Sequence, residues 1–116
     1  MNIVYIAGPF RGHTPWDIEQ NIRRAEELAL ECWRHGYAVV CPHTNTRFFH
    51  RAAPDSSFLE GDLSIMKRCD AVLMVEGWER SAGAREEERV ARERNIPVFL
   101  TLKGLVEGYA TGEGHK

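Results

Sequence analysis

Apolar residues recur along the chain in two alternating patterns, short continuous runs and longer stretches with helical spacing. The short runs are bounded by Gly, Pro or Asn and predict β-strands. The longer stretches repeat apolar residues at intervals of three and four, which predicts amphipathic helices. The predicted strands are residues 2–7, 37–41, 70–75 and 95–101. The predicted helices run from residue 15 to a stop at 35–36, from 58 to 68 and from 83 to 94.

This alternation predicts an α/β domain with a parallel sheet and right-handed crossover connections. We expect a single domain over residues 1–116, with a flavodoxin-like, Rossmann-like three-layer arrangement of four to five strands. The expected strand order is 2-1-3-4, with any fifth strand at the end. Residues 103–116 carry four glycines and are expected to form a loose tail or a short last element.

The segment from 43 to 57 has no clear period and is long for a plain connection, and loops of that length are often functional. His43, His50 and Asp55 could be read as metal ligands, but their spacing matches no compact metal motif. A solvated loop is the favoured interpretation, and we expect no metal ion and no organic cofactor.

In the flavodoxin-like order, ligands bind beyond the carboxyl ends of the strands, at the switch between strands 1 and 3. The first loop at that switch spans residues 8–14 and leads into a helix that Thr14 can cap. Backbone N–H groups around Gly8 and Gly12, the helix N-terminus and Arg11 would favour an anion such as phosphate. The loop is not a P-loop, and a tight turn with a solvated arginine explains it equally well.

The second loop at the switch spans residues 76–83 and ends at another helix start, with Ser81 and Gly83. Ser81 is most simply an N-cap, and its hydroxyl could also donate to a phosphate oxygen. Trp78 in the same loop could contact a base, although such a residue is more often part of a core or its rim. His43 could line the same base pocket from the 43–57 segment.

Glu87 is expected to point inward from the helix that follows this loop. With about 100° per residue and Gly83 at zero, the small and apolar residues point near 40° on average, and Glu87 falls there. Glu86 and Glu88 lie about 100° to either side and are expected to be surface charges. Since an unpaired buried carboxylate is costly, Glu87 is either a hydrogen-bonded structural residue or a catalytic one.

Asp62 repeats this pattern on the preceding helix. The apolar residues there point near 60° from Phe58, and Asp62 lies near 40°. Two inward carboxylates at neighbouring strand edges favour catalysis, and such a pair suits cleavage of a glycosidic bond. Tyr5, near the carboxyl end of the first strand, could offer its hydroxyl to this site or be a core aromatic residue.

The composition excludes several classes of function. The net charge is −2 and there is no basic run, which argues against a nucleic-acid polymer as the main partner. No apolar run approaches the ~20 residues of a membrane span, and the N-terminus does not have the pattern of a signal peptide. Cys32, Cys41 and Cys69 are odd in number and lie in apolar neighbourhoods, so we expect reduced core residues in a cytoplasmic protein.

Three motifs occur together in a recognisable order. They are Tyr5-Ile6-Ala7-Gly8-Pro9-Phe10, the Asp62 segment before Cys69-Asp70-Ala71-Val72, and Ser81-x-Gly83-x-x-x-Glu87. With these motifs the chain, over residues 3–100, resembles the nucleoside 2-deoxyribosyltransferase-like superfamily, which includes the 2′-deoxynucleoside 5′-phosphate N-hydrolases.

The resemblance implies an enzyme that cleaves the N-glycosidic bond of a nucleoside or nucleotide. It implies Glu87 as the nucleophile at C1′, Asp62 as an aid to protonation of the leaving base, and Tyr5 as a further catalytic residue. Arg11 and Ser81 correspond to phosphate contacts. The N-hydrolases have a serine where this chain has Pro9, which leaves open a deoxyribosyltransferase that acts without a phosphate. A homodimer or higher homo-oligomer is expected, and a non-catalytic nucleotide-binding module is a further alternative.

Overall fold

The computed structural model describes residues 1–49 and 52–110 of the 116-residue chain. Strands and helices alternate, and a 3₁₀ turn at Trp78–Arg80 precedes the fourth helix. The strands are β1 (Ile3–Ala7), β2 (Ala38–Val40), β3 (Ala71–Met74) and β4 (Val98–Phe99). The helices are α1 (Pro15–Arg34), α2 (Pro42–Asn45), α3 (Asp55–Met66), α4 (Ala82–Glu93) and α5 (Leu102–Ala110).

The strands within the described residues form one parallel sheet in the order β2-β1-β3-β4. This confirms the predicted strand order and the flavodoxin-like α/β fold. Tyr5 of β1 lies opposite Val40 of β2 and Val72 of β3, so it occupies the middle of the sheet. The described residues contain four strands, which is the lower of the two predicted numbers.

Side chains alternate between the two faces of the sheet and build two cores. On one face, alternate residues of β1 and β3 pack with α1 and α5, and the main members of this core are Val4, Ile6, Ala25, Ala29, Cys32, Ala71, Leu73 and Leu105. On the other face the remaining strand residues pack with α3 and α4, and the main members are Tyr5, Ala7, Met66, Val72, Met74, Ala84, Val90 and Ala91. Helices therefore cover both faces, which makes three layers.

Of the two alternatives predicted for residues 103–116, a loose tail or a short last element, the structure shows a short last element as far as residue 110. Leu102–Ala110 forms α5, and its Leu105 is fully buried against the α1 side of the sheet. Thr101 begins this helix by accepting a hydrogen bond on Oγ1 from the Gly104 N–H at 2.9 Å. Burial of the apolar face of α5 offsets the low helix propensity of its glycines. The last part of the predicted tail, residues 111–116, lies outside the described residues.

The segment from 43 to 57 is more structured than a solvated loop. Pro42 starts the short helix α2, where its fixed φ suits the first helical position. Helix α3 begins at Asp55, three residues before the predicted start at 58. His50, one of the residues considered as a metal ligand, lies outside the described residues.

Cys32 and Cys69 are buried, Cys41 is partly buried, and all three are free thiols, as expected. Within residues 1–49 and 52–110, no helix is long and apolar enough to cross a lipid bilayer.

Candidate active site

Glu87 points into the protein from the second turn of α4. It is only 7% exposed and shares its face of the helix with the buried Ala84, Val90 and Ala91. Its neighbour Glu86 forms an ion pair with Arg89 instead, and Glu88 pairs with Arg92. The helical wheel therefore placed one glutamate inside and two at the surface correctly, because the 3.6-residue period separates adjacent side chains by about 100°.

Tyr5 provides the partner that this buried carboxylate needs. It faces the α3–α4 side of the sheet and is fully buried, and its hydroxyl donates a hydrogen bond to Oε2 of Glu87. Tyr5 is therefore a core aromatic residue, and its hydroxyl also contacts the Glu87 carboxylate. The bond joins residues 82 positions apart, so it exists only because β1 packs beneath α4.

The second carboxylate oxygen of Glu87 does not share the bond to Tyr5. Among the described residues, none donates a hydrogen bond to Oε1. Burial raises the pKa of Glu87 to about 7; the bond from Tyr5 opposes this rise, and the nearby charge of Asp62 adds to it. Glu87 therefore titrates near neutral pH, while one of its oxygens has no hydrogen-bond donor among the described residues.

Asp62 of α3 is the third member of this cluster. It is partly buried, and burial raises its pKa to about 6. Its charge also raises the pKa of both Glu87 and Tyr5, so the three groups lie within electrostatic reach of one another. The fold thus brings the three predicted catalytic residues together, from β1, α3 and α4.

The loop between β1 and α1 turns its carbonyl groups towards protein donors. Asn21 of α1 donates from Nδ2 to the carbonyl oxygens of Phe10 and Arg11, both at 3.1 Å, and His43 of α2 reaches the Pro9 carbonyl at 2.9 Å. The backbone N–H groups of residues 10–13 have no acceptor among the described residues. A loop with fixed carbonyls and free N–H groups is suited to an anion.

The glycines near the site differ in how much space surrounds them, and only two of them lie where a side chain would collide with its neighbours. A Cβ atom on Gly8 would lie 2.5 Å from Val75 Cβ, and one on Gly12 would lie 2.4 Å from Asp17 Cβ. Gly8 therefore allows the loop to pack closely against the residue that follows β3, and Gly12 allows close packing against α1. A Cβ atom on Gly83 would meet nothing within 4 Å, so the space beside the first turn of α4 is open.

Ser81 is the N-cap of α4, as predicted, and its Oγ accepts a hydrogen bond from the Ala84 N–H at 3.2 Å. The N–H groups of Ala82 and Gly83 lie in the first turn of α4, where the helix has no earlier carbonyl to accept them, so they point out of the helix. Trp78, from the same loop, is partly buried against the α3–α4 core, which is the packing role considered for it.

His43 lies beneath the loop between β1 and α1. The side chain is 5% exposed, its ring centroid lies 6.0 Å from that of Phe10, and burial lowers its pKa. Nε2–H of the neutral ring would donate to Pro9, and Nδ1 has no partner among the described residues. In this position His43 supports the loop, and its predicted contact with a base stays a prediction.

Arg11 is exposed to solvent, but its guanidinium is not a free cation. Its guanidinium forms an ion pair with Asp55, the first residue of α3. Neither this pair nor the Asn21 bonds were predicted, because the partners are distant in sequence. The only sequence signals were an acidic residue near a helix start and an amide on the second turn of α1.

Within the part of the chain that the structure describes, no group of three or more His, Cys, Asp or Glu side chains is arranged to hold a metal ion. The polar groups that converge at the carboxyl edge of the sheet are instead two carboxylates, a phenol and backbone N–H groups.

Residues 2–100 match the sequence family described as "Domain of unknown function (DUF4406)". The chain belongs to this family. The DUF4406 match contains Tyr5, Asp62 and Glu87, together with both loops of the site, and it ends before α5. Comparison with curated protein sequences gives no match.

Proposed function

We propose that the chain cleaves the N-glycosidic bond of a (2′-deoxy)nucleoside 5′-monophosphate through a covalent glycosyl-glutamate intermediate and releases the free base. The main support is the buried hydrogen bond from Tyr5 to one oxygen of Glu87, which leaves the other oxygen without a donor among the described residues, on a carboxyl whose pKa the charge of Asp62 raises. Paired carboxylates with raised pKa values in a partly dry site are typical of glycosidic bond cleavage.

In the first step Oε1 of Glu87 would attack C1′ of the sugar. The bond from C1′ to the base nitrogen breaks, its electron pair leaves with the base, and Asp62 in its protonated form supplies the proton. The Tyr5 hydroxyl keeps the nucleophile ionised and fixes its orientation, since it is the influence that lowers the pKa of Glu87.

In the second step water would attack C1′ of the glycosyl-enzyme. The bond between C1′ and Glu87 breaks, the carboxylate is restored, and the ionised Asp62 accepts the proton of the water. The products are a free base and a sugar phosphate, and neither step needs a redox partner.

The phosphate would lie between the two loops at the carboxyl edge of the sheet. The free N–H groups of residues 10–13 and those of Ala82 and Gly83 offer donors, and the Ser81 hydroxyl lies beside them. Arg11 would add a positive charge from the first loop.

The alternative is a nucleoside 2-deoxyribosyltransferase that exchanges bases on unphosphorylated substrates. The ion pair between Arg11 and Asp55 favours it, because the guanidinium is already neutralised by a carboxylate. In this case a second base, rather than water, would resolve the glycosyl-enzyme.

The decisive experiment measures free base by chromatography after incubation with a panel of nucleosides and their 5′-monophosphates. The wild-type protein should release base, and Glu87→Gln should lower the rate by about a thousandfold or more, because the nucleophile is lost. Glu88→Gln is the matched control, since Glu88 lies on the same helix at the surface, and it should keep the wild-type rate.

A base added to the reaction separates the two enzymatic functions, because only a transferase makes the exchanged nucleoside efficiently. Equal rates for wild type and Glu87→Gln would refute the mechanism. Tight nucleotide binding without base release from any substrate would instead identify a non-catalytic binding module.

A further inference from the structure

Asp55 and Arg11 come from different segments and meet at the edge of the proposed phosphate site. Arg11 lies in the loop after β1, and Asp55 begins α3, which carries Asp62 two turns later. Their side chains are 78% and 67% exposed, so the ion pair lies in water rather than in the core. An exposed pair contributes little to folding, which leaves open what else it does.

The backbone around Arg11 is held in place independently of this pair. Asn21 binds the carbonyl groups of Phe10 and Arg11, and Gly12 packs against the first turn of α1. Loss of Asp55 would therefore free the guanidinium without releasing the loop. Asp17, the other carboxylate next to the loop, is engaged in the capping box with Thr14.

We propose that Asp55 is an internal competitor of the substrate phosphate for Arg11, and thereby sets the preference of the site between phosphorylated and unphosphorylated nucleosides. The inference rests on the proposed function, in which Arg11 would contact the phosphate. Both anions suit the same guanidinium face, because carboxylate and phosphate oxygens accept the same pair of N–H groups.

Phosphate can replace the Asp55 carboxylate on Arg11 because the exposed ion pair is weak. A phosphate carries more charge than a carboxylate and would also accept bonds from the free N–H groups of residues 10–13, so it can displace Asp55. Every phosphorylated ligand must nevertheless break the pair and then remain near the displaced carboxylate. An unphosphorylated nucleoside leaves the pair intact, so its affinity does not depend on Asp55.

The test measures the binding of inorganic phosphate and of a deoxynucleoside 5′-monophosphate by calorimetry. Both are titrated into protein with Glu87→Gln, which prevents turnover. Asp55→Asn in this background should tighten both ligands by about two- to fivefold, the range that one exposed ion pair supports. The corresponding unphosphorylated nucleoside should bind with unchanged affinity. Asparagine keeps the size of the side chain and is tolerated at a helix start, so α3 should persist.

Two further variants make the result specific. Glu60→Gln removes the same charge from an exposed position on the same helix and should leave phosphate affinity unchanged. In the Arg11→Gln background, Asp55→Asn should lose its effect, since the competition no longer exists. Thermal unfolding of each variant checks that the fold is retained.

The proposal is overturned if Asp55→Asn leaves phosphate affinity unchanged, if the gain persists without Arg11, or if Glu60→Gln gives the same gain. It is also overturned if phosphate binds to none of the variants. Failure of the proposed function has a different signature. An Arg11-dependent gain in phosphate binding, with no base released by wild type, would support the role of Asp55 and reject the glycosidase.

Discussion

Replacing Glu87 with Gln is expected to stabilise the folded protein at neutral and alkaline pH, although it removes the proposed nucleophile. Burial raises the pKa of this carboxyl from its ordinary value of 4.5 to about 7. The folded protein therefore holds a proton on Glu87 that the unfolded chain releases between these two values. Over that range the free energy of unfolding of the wild type decreases as the pH rises.

The size of the effect follows from the difference between the two pKa values. Each pH unit corresponds to about 1.4 kcal/mol, so ionised Glu87 costs the folded state on the order of 3 kcal/mol above pH 7. Glutamine has no such cost. Its carbonyl can still accept the Tyr5 hydroxyl, and its amide nitrogen would take the place of Oε1, to which no described residue donates.

Urea unfolding at several values between pH 4 and pH 8 tests this. The difference in unfolding free energy between Glu87→Gln and wild type should be near zero at pH 4 and grow to about 3 kcal/mol at pH 8. Glu88→Gln, which removes a partly exposed charge that pairs with Arg92 on the same helix, should show no such growth. A constant difference across this range, or a variant less stable at pH 8, would refute the account of Glu87 as a buried, destabilising carboxylate.

Two further predictions concern the groups around Glu87 and the loop. Tyr5→Phe should raise the titration midpoint of the Glu87 carboxyl, measured by NMR, by about one to two pH units, because a hydrogen bond to a charged group contributes about 1.5–3 kcal/mol. Tyr37→Phe, on the other face of the sheet, is the control. An unchanged midpoint in Tyr5→Phe would contradict the prediction. His43→Ala should cost about 2 kcal/mol of stability at pH 7.5 through the lost packing and the lost bond to Pro9. Because burial lowers the pKa of His43, the unfolded chain binds the proton first below about pH 6.5, so wild type loses this advantage as the pH falls. Urea unfolding should therefore show a smaller gap at pH 5.5 than at pH 7.5, and an equal gap at both would argue against a neutral buried His43.

Sequence periodicity predicted most of the fold because it reports local geometry. Apolar runs indicated the sheet strands, and their alternation with helices predicted the order 2-1-3-4. The same local geometry placed Glu87 inside α4 and its two neighbours outside. The direction of a side chain around the helix axis depends only on its position in that helix, so it could be predicted without knowing what packs against the helix.

The predictions were weaker where structure depends on distant packing. The glycines in residues 103–116 left a loose tail and a short last element as alternatives, and the part as far as residue 110 is helical because Leu105 packs on the sheet. The segment after Pro42 has no period, since α2 is too short to show one. Local propensity is a weak guide in both places, and tertiary burial decides the outcome.

The sequence by itself therefore determined the class of fold, the edge of the sheet where polar groups gather, and the inward direction of Glu87. Only the tertiary structure decided which atoms meet there: the Tyr5 hydroxyl on Glu87, His43 on the Pro9 carbonyl, and Asp55 on Arg11. These contacts join residues 82, 34 and 44 positions apart. The sequence pattern of a single helix or strand shows which of its own side chains share a face. It does not show which other element packs against that face, because this depends on how the whole chain folds.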